Sequence, residues 1–158
     1  MISLSVIIVN YKAQDLLGNC LKTIFHPDFF RDFEVIVVDN FSQDNGEAII
    51  KKSFPQVKWI QMDYNSGFAR ANNAGIRAAA GEIVLLLNSD TLNEDNAIGL
   101  CAEKFKTSNY VACGVQLLNP DRTPQISGSY FMTRGLNQLL NLPYLGAFFR
   151  WMGYGLKI

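Results

Sequence analysis

The stretch Glu82–Thr91, EIVLLLNSDT, decides how this sequence folds. Five apolar residues run without alternation from Ile83 to Leu87 and then stop on Asn88, Ser89 and Asp90. A strand with one wet face alternates polar and apolar side chains. An unbroken run predicts instead a central strand covered on both faces, as in a parallel sheet. The polar triplet then falls at the strand's carboxyl end, where open α/β sheets hold their ligands.

The flanking sequence repeats this pattern. LSVIIV, Leu4–Val9, reads as a first strand and ends on Asn10-Tyr11-Lys12. Leu16, Leu17, Cys20, Leu21 and Ile24 at helical spacing predict a helix over Asp15–Phe25, broken at His26-Pro27-Asp28. A second strand covers Phe33–Val38 and stops on Asp39; Ser42 or Asp44 is placed to cap the next helix, which runs to Ser53. A third strand spans Val57–Met62, followed by an Asn65-Ser66-Gly67 turn and a helix over Phe68–Ala80 that Gly81 is suited to end. Beyond the opening strand, a helix over Glu94–Thr107 leads to YVACGVQLL, Tyr110–Leu118, read as a further strand. Alternating strands and helices imply parallel strands joined by crossovers.

After Leu118 the character changes. NPDRTPQISG is turn-rich, and residues 129–158 are apolar and aromatic but interrupted by Gly135, Pro143, Gly146, Gly153 and Gly155. The expected organisation is therefore an α/β domain over residues 1–118 and the incomplete start of a second segment over 119–158.

Composition bounds the function. The chain has 158 residues, 49% hydrophobic and 18% charged, which describes one globular domain rather than a disordered chain. Fourteen basic residues balance fourteen acidic ones, so no net charge argues for a nucleic-acid partner. Cys20, Cys101 and Cys113 match no zinc spacing and read as buried free thiols. The apolar run at residues 4–9 is too short for a signal peptide's core, and no run is long enough for a secure membrane span. The expected location is cytoplasmic, with a peripheral position at the inner membrane face as a variant.

Three strand ends, Asn10-Tyr11, Asp39-Asn40 and Asn88-Ser89-Asp90, converge on one edge if the sheet is parallel. Asp90 offers the hard oxygen that Mg²⁺ or Mn²⁺ takes together with phosphate oxygens; equally, it can cap a helix beginning near Asn93. Asp39 can accept a hydrogen bond from a base ring N–H or cap the following helix. Tyr11 can stack on a base or pack at the sheet edge. There is no G-x-G-x-x-G after the first strand and no phosphate-binding G-x-x-x-x-G-K-[ST]. Asn88 stands where an aspartate-based phosphatase needs its nucleophile, and an amide is none. His26 has no partner histidine at metal-ligand spacing.

Four blocks, SVIIVNYKAQDLLGNCLKTI, FEVIVVDNFSQDNG, NSGFARANNAGIRAAAGEIVLLLNSDT and VACGVQLLNPDRTPQISG, resemble in order and spacing the N-terminal part of family 2 glycosyltransferases. The resemblance covers about residues 3–128 and is nearest to the rhamnosyltransferase-like bacterial branch of surface-polysaccharide synthesis. It implies a GT-A fold, a Rossmann-like, mainly parallel sheet flanked by helices, truncated at its C-terminal side. It implies a donor that is a nucleoside-diphosphate sugar, UDP- or dTDP-linked, a glycan or lipid-linked acceptor, and transfer with inversion. Asn10 and Tyr11 would line the nucleoside pocket. Asp39 would read the base, Gly67 would admit the nucleotide close to the chain, and Asn73 would brace the metal loop. Asn88-Ser89-Asp90 would take the place of the D-x-D motif, leaving Asp90 as metal ligand and diphosphate residue.

Asn88 departs from that motif's first acid, and Lys12 stands where the branch often has Asn. The acidic motif that supplies the family's general base is not found within residues 1–158 and is expected beyond Ile158. A non-catalytic nucleotide-sugar-binding module therefore stands as the alternative reading. For residues 136–158 three readings stay open: packing on an acceptor domain, contact with a membrane surface, or a homodimer.

Overall fold

The computed structural model describes residues 3–29 and 32–125. The chain divides into two compact units, Met1–Cys113 and Gly114–Ile158. The first is an alternating α/β unit: β1 (Leu4–Asn10), α1 (Gln14–Ile24), β2 (Phe33–Asp39), α2 (Gly46–Ser53), β3 (Lys58–Gln61), α3 (Phe68–Ala78), β4 (Ile83–Asn88) and α4 (Ala97–Lys106). The strands form one sheet in the order β3-β2-β1-β4, and every pairing is parallel.

That order fixes which face each helix covers. The chain steps one way from β1 to β3 and then jumps back over two strands to β4. Right-handed crossovers put helices from opposite steps on opposite faces. Accordingly, α1 and α2 pack on one face, where Leu17, Cys20, Leu21, Ile24 and Ile50 meet Leu4, Val6, Ile8, Val35 and Val37, with Ala102 of α4 in the same cluster. On the other face Ala71 of α3 lies with Ile7, Ile36 and Val38. Leu17, Leu21 and Ile24 are essentially fully buried, each contributing about 1.5–3 kcal/mol. The small residues of α3 let it lie close to the sheet: a Cβ on Gly75 would overlap Ile7 and stand 3.2 Å from Val38 Cγ2.

Three expectations are corrected. β4 is not central among the described residues but lies at the sheet's edge. Its even-numbered side chains are exposed, Val84 at 38% and Leu86 at 48%. The cause is the placement of α3, which packs on β1 and β2 and leaves that face of β4 uncovered by described residues. Residues 110–118 do not form a strand; only Leu118 pairs, in a single antiparallel bridge with Pro124 around the Asn119–Arg122 turn. Strand-forming residues need a neighbouring edge to pair with, and Tyr110 and Val111 lie exposed instead. In consequence Cys113 is exposed and Cys101 only half-buried; Cys20 alone of the three free thiols is buried. Among the described residues no helix is long and apolar enough to cross a membrane. Residues 136–158 lie outside the described residues.

Candidate functional site

The strand register gathers the sequence-predicted residues. Asn10 lies opposite Asp39, Asp39 opposite Gln61, and Val9 opposite Asn88. Neighbouring strands stand about 4.8 Å apart, so Asp39 and Asn88, two strands removed, are roughly 10 Å apart along one rim. Between β1 and β4 the strand order reverses. This is the switch point at which open α/β sheets form a crevice.

Asp39 is the centre of a closed hydrogen-bond set. It is 2% exposed. Its Oδ1 accepts from Asn10 Nδ2 at 2.7 Å and from Ser42 Oγ at 2.5 Å. Its Oδ2 accepts from the Ser42 backbone N–H and from Gln61 Nε2, both at 2.8 Å. Four donors fill the acceptor positions that a carboxylate has. Burial pushes this carboxyl up, but the bonds from Ser42, Gln61 and Asn10 outweigh it and hold it below the ordinary carboxylate range. Ser42 Oγ also accepts from the Lys12 backbone N–H at 2.8 Å, joining the loops after β1 and β2. Asn10 is fully buried, and no donor reaches its Oδ1 among the described residues.

Neither Ser42 nor Asp44 is the N-cap of α2, which is Asn45; Asp44 Oδ1 accepts from the Gly46 N–H at 2.9 Å in the turn that leads into the helix. Asn40, next to Asp39, clamps the turn before α3. Its Oδ1 accepts from the Ser66 N–H at 2.9 Å, and its Nδ2 donates to Asn65 Oδ1 at 2.8 Å. Gly67 then opens α3 at φ 82°, a conformation costly for other residues. No atom lies within 4 Å of where its Cβ would be, so its backbone faces open space. As α3 starts where β3 ends, the unpaired N–H groups of its first turn lie at this same rim.

The backbone is strained here. Lys12, Phe41, Gln43, Asp95 and Asn96 all have φ between 50° and 73°, and all lie in loops that leave β1, β2 and β4. Such conformations persist where the surroundings over-determine them, and they cluster at functional sites. Tyr11 is 45% exposed on this rim, with Lys12 Nζ 5.4 Å from its ring centre.

Asn88, the last residue of β4, and Asp90, just beyond it, are both exposed. Cys20 of α1 lies beneath, its Sγ donating to the Asn88 carbonyl at 3.9 Å. Burial, and after it the negative charge of Asp90, push the Cys20 thiol up to about 12. Asp90 does not cap α4. Asn93 Oδ1 accepts the Ile98 N–H at 3.0 Å instead. Asn73 is exposed on α3 and makes no bond to residues 88–90 among the described residues, whereas Asn72 is buried and donates to the Phe68 carbonyl at 3.1 Å. Successive helical residues differ by about 100° in direction, so one position separates an inward from an outward side chain.

Among the described residues no three His, Cys, Asp or Glu side chains converge into a metal cage. The donor set nevertheless fits a hard divalent cation of the Mg²⁺ or Mn²⁺ kind held jointly: one carboxylate from Asp90, with diphosphate oxygens and waters for the rest. Sequence reading missed Gln61, Asn65 and the anchoring part of Ser42. For Gln61 a signal existed, a polar residue closing β3 where Asp39 closes β2.

The sequence profile of the Glycosyl transferase family 2 matches residues 5–154. An uncharacterised glycosyltransferase of Nostoc sp. is 32% identical over 112 residues, 68% of this chain and 34% of that protein. The poly(ribitol-phosphate) beta-N-acetylglucosaminyltransferase TarP of Staphylococcus aureus is 31% identical over 62% of this chain and 31% of its own length. The chain thus spans about a third of these relatives. Among solved structures, S. aureus TarS 1–349 in complex with UDP-GlcNAc superposes with a TM-score of 0.60 at 29% identity, covering 66% of this chain and 31% of TarS. The mannosyltransferase PcManGT of Pyrobaculum calidifontis, in complex with GDP-Man and Mn²⁺, gives a TM-score of 0.62 at 25% identity over 75% of this chain and 36% of its own. A parallel sheet reversing its order beside a polar rim, matched by a family profile over almost the whole sequence, leaves one assignment: the chain belongs to glycosyl transferase family 2 and has the GT-A, Rossmann-like fold.

Proposed function

We propose that this chain is the donor-binding part of a glycosyltransferase that moves a sugar from a nucleoside-diphosphate sugar to a glycan or lipid-linked acceptor in surface-polysaccharide synthesis, with inversion. The observation that carries the reading is the register of Asn10, Asp39 and Asn88, which brings three separated strand ends to one rim. Names among the relatives and neighbours support the substrate class: TarS is described with UDP-GlcNAc, PcManGT with GDP-Man and Mn²⁺. TarP is named as a poly(ribitol-phosphate) beta-N-acetylglucosaminyltransferase.

In this reading the base lies over Asp39 between Tyr11 and the end of β3. The diphosphate runs along the rim past the first turn of α3 toward Asp90. Asn10 and Ser42 hold Asp39 in place rather than meeting the ligand directly. Asp90 would hold the divalent cation against the diphosphate, with Asn88 beside it on the rim. When bound, that cation neutralises the charge that grows on the departing diphosphate. Asn65-Ser66-Gly67, clamped by Asn40, keeps the start of α3 open to the phosphates.

Calorimetric titration of the chain with UDP and with a UDP-sugar, with and without Mn²⁺, tests the proposal. Mn²⁺ should tighten binding at least tenfold in the unmodified chain and have little effect on Asp90→Ala. Equal affinities for the two proteins in Mn²⁺ would remove Asp90 from the site.

A further inference from the structure

Asp39 cannot accept a hydrogen bond from a base as it stands, because four donors already occupy it. One of the four must leave. Asn10 is fully buried, and both Ser42 donors belong to a side chain and backbone 4% exposed that also receive the Lys12 N–H. Gln61 is different. It is exposed, at the end of the sheet's outer strand, and its release disturbs no packed element.

Its amide is also held in a telling way. Nε2 donates to Asp39 Oδ2 at 2.8 Å, while Oε1 accepts from Trp59 Nε1 at 3.3 Å. An N–H beside a C=O is thus engaged by an acceptor and a donor side by side. The ring edge of uracil or thymine presents the same pair, an imide N–H flanked by a carbonyl; guanine does so at N1–H and C6=O. Cytosine and adenine present a bare acceptor nitrogen at that position and would face the Asp39 carboxylate with a lone pair.

We infer that Gln61 is a stand-in for the base: its side-chain amide engages the Asp39 acceptor and the Trp59 donor until a base bearing ring N–H beside C=O displaces it, and this exchange selects for such bases. The inference rests on the proposed nucleotide site and adds to it the residue that competes for it. Between ligands Gln61 keeps a buried carboxylate satisfied, which an empty pocket would leave short of one donor. The low position of the Asp39 carboxyl keeps it an acceptor throughout the neutral range.

The test is calorimetric titration of the full chain with UDP and CDP in Mn²⁺, for the unmodified protein, Gln61→Ala and Asp39→Asn. Gln61→Ala should bind UDP about 2- to 10-fold more tightly, the worth of one released hydrogen bond, and CDP as before. The side-chain amide resonance of Gln61 should move on adding UDP and stay in place with CDP. Unchanged or weaker UDP binding by Gln61→Ala, equal tightening toward CDP, or no UDP binding by either protein overturns the inference. Asp39→Asn separates the two layers of argument. If it loses UDP affinity while Gln61→Ala gains none, the stand-in role falls and the site remains. If Asp39→Asn, shown folded by circular dichroism, keeps full UDP affinity, the site reading falls as well.

Discussion

Replacing Gly75 by Ala, with Gly18→Ala beside it, isolates the contact that seats α3 on the sheet. Both glycines lie inside helices, Gly18 in α1 and Gly75 in α3. Both exchanges gain the same intrinsic helix preference, about 1 kcal/mol. Their surroundings differ. A Cβ on Gly18 meets nothing within 4 Å, while one on Gly75 overlaps Ile7 Cγ2 and stands 3.2 Å from Val38 Cγ2. Carbon pairs rest at about 3.5–4.0 Å, so α3 must rise or Ile7 must leave its rotamer. Overpacking of this kind costs about 1–3 kcal/mol. Gly18→Ala should therefore stabilise by about 1 kcal/mol, and Gly75→Ala should be neutral to about 2 kcal/mol destabilising. In urea unfolding followed by circular dichroism, with a slope of about 1–3 kcal/mol per molar, the two midpoints should separate by roughly 1 M. A lifted α3 also moves the Asn65-Ser66-Gly67 turn at the rim, so Gly75→Ala should weaken UDP binding and Gly18→Ala should not. Equal upward shifts of both midpoints would refute the close seating of α3.

Three further expectations follow from other parts of the molecule. Glu34, 8% exposed at the opposite edge, is raised by burial but lowered more by Lys58, Ser5 and the Ala80 N–H, so its folded carboxyl lies below its ordinary 4.5. Its stabilisation is complete above that value and is lost as pH falls below it toward the folded value. Glu34→Gln should cost about 1–3 kcal/mol at neutral pH and flatten the acid limb of a stability-versus-pH curve; an unchanged limb counts against the pairing. Ser42→Ala leaves the Lys12 N–H without its acceptor and removes a donor from Asp39, so it should lower stability by about 1–3 kcal/mol and weaken UDP binding, read by thermal melts with and without nucleotide. Thiol labelling at pH 8 should modify Cys113 rapidly in the native chain and reach Cys20, buried with its thiol pushed up to about 12, only on unfolding; mass spectrometry of labelled peptides reads the order.

Sequence alone placed the rim because parallel pairing leaves little freedom. Once Leu4–Asn10 and Phe33–Asp39 are strands of equal length in one parallel sheet, Asn10 and Asp39 must finish together. What covers each face of a strand is less legible. The run Ile83–Leu87 is apolar at every position, yet one face packs on α1's side of the sheet and the other is exposed among the described residues. Apolarity reports that a face is meant to be covered, not which segment does so. Gly81 was legible as special but for the wrong reason. The helix ends at Ala78, and Gly81 is needed because a Cβ would come within 2.7 Å of the Leu4 and Ser5 backbone. Close approach of this kind depends on packing between distant segments and leaves no local trace. Gln61 and Ser42 escaped because their partners lie on neighbouring strands and loops.

Two buried carboxylates sit at the two ends of the same sheet, and they are satisfied in different ways. At the amino-terminal edge Glu34 takes the Ser5 hydroxyl at 2.6 Å and the Ala80 N–H at 2.7 Å, and its other oxygen pairs with Lys58 Nζ at 2.6 Å. A cation closes that cluster, and the Gly81 N–H donating to Ser5 Oγ locks the α3–β4 connection over it. At the carboxyl-terminal edge Asp39 has neutral donors only, and Asn10 Oδ1 beside it has no donor among the described residues. A buried charge is expensive to keep unless it is paired or fully hydrogen-bonded, and the chain supplies a charged lysine at one edge and a neutral amide, the more readily exchanged partner, at the other. A purely structural carboxylate gains nothing from an exchangeable partner. One that must receive a ligand's N–H needs it, since a lysine in the position of Gln61 would hold Asp39 too firmly to be displaced by a neutral base.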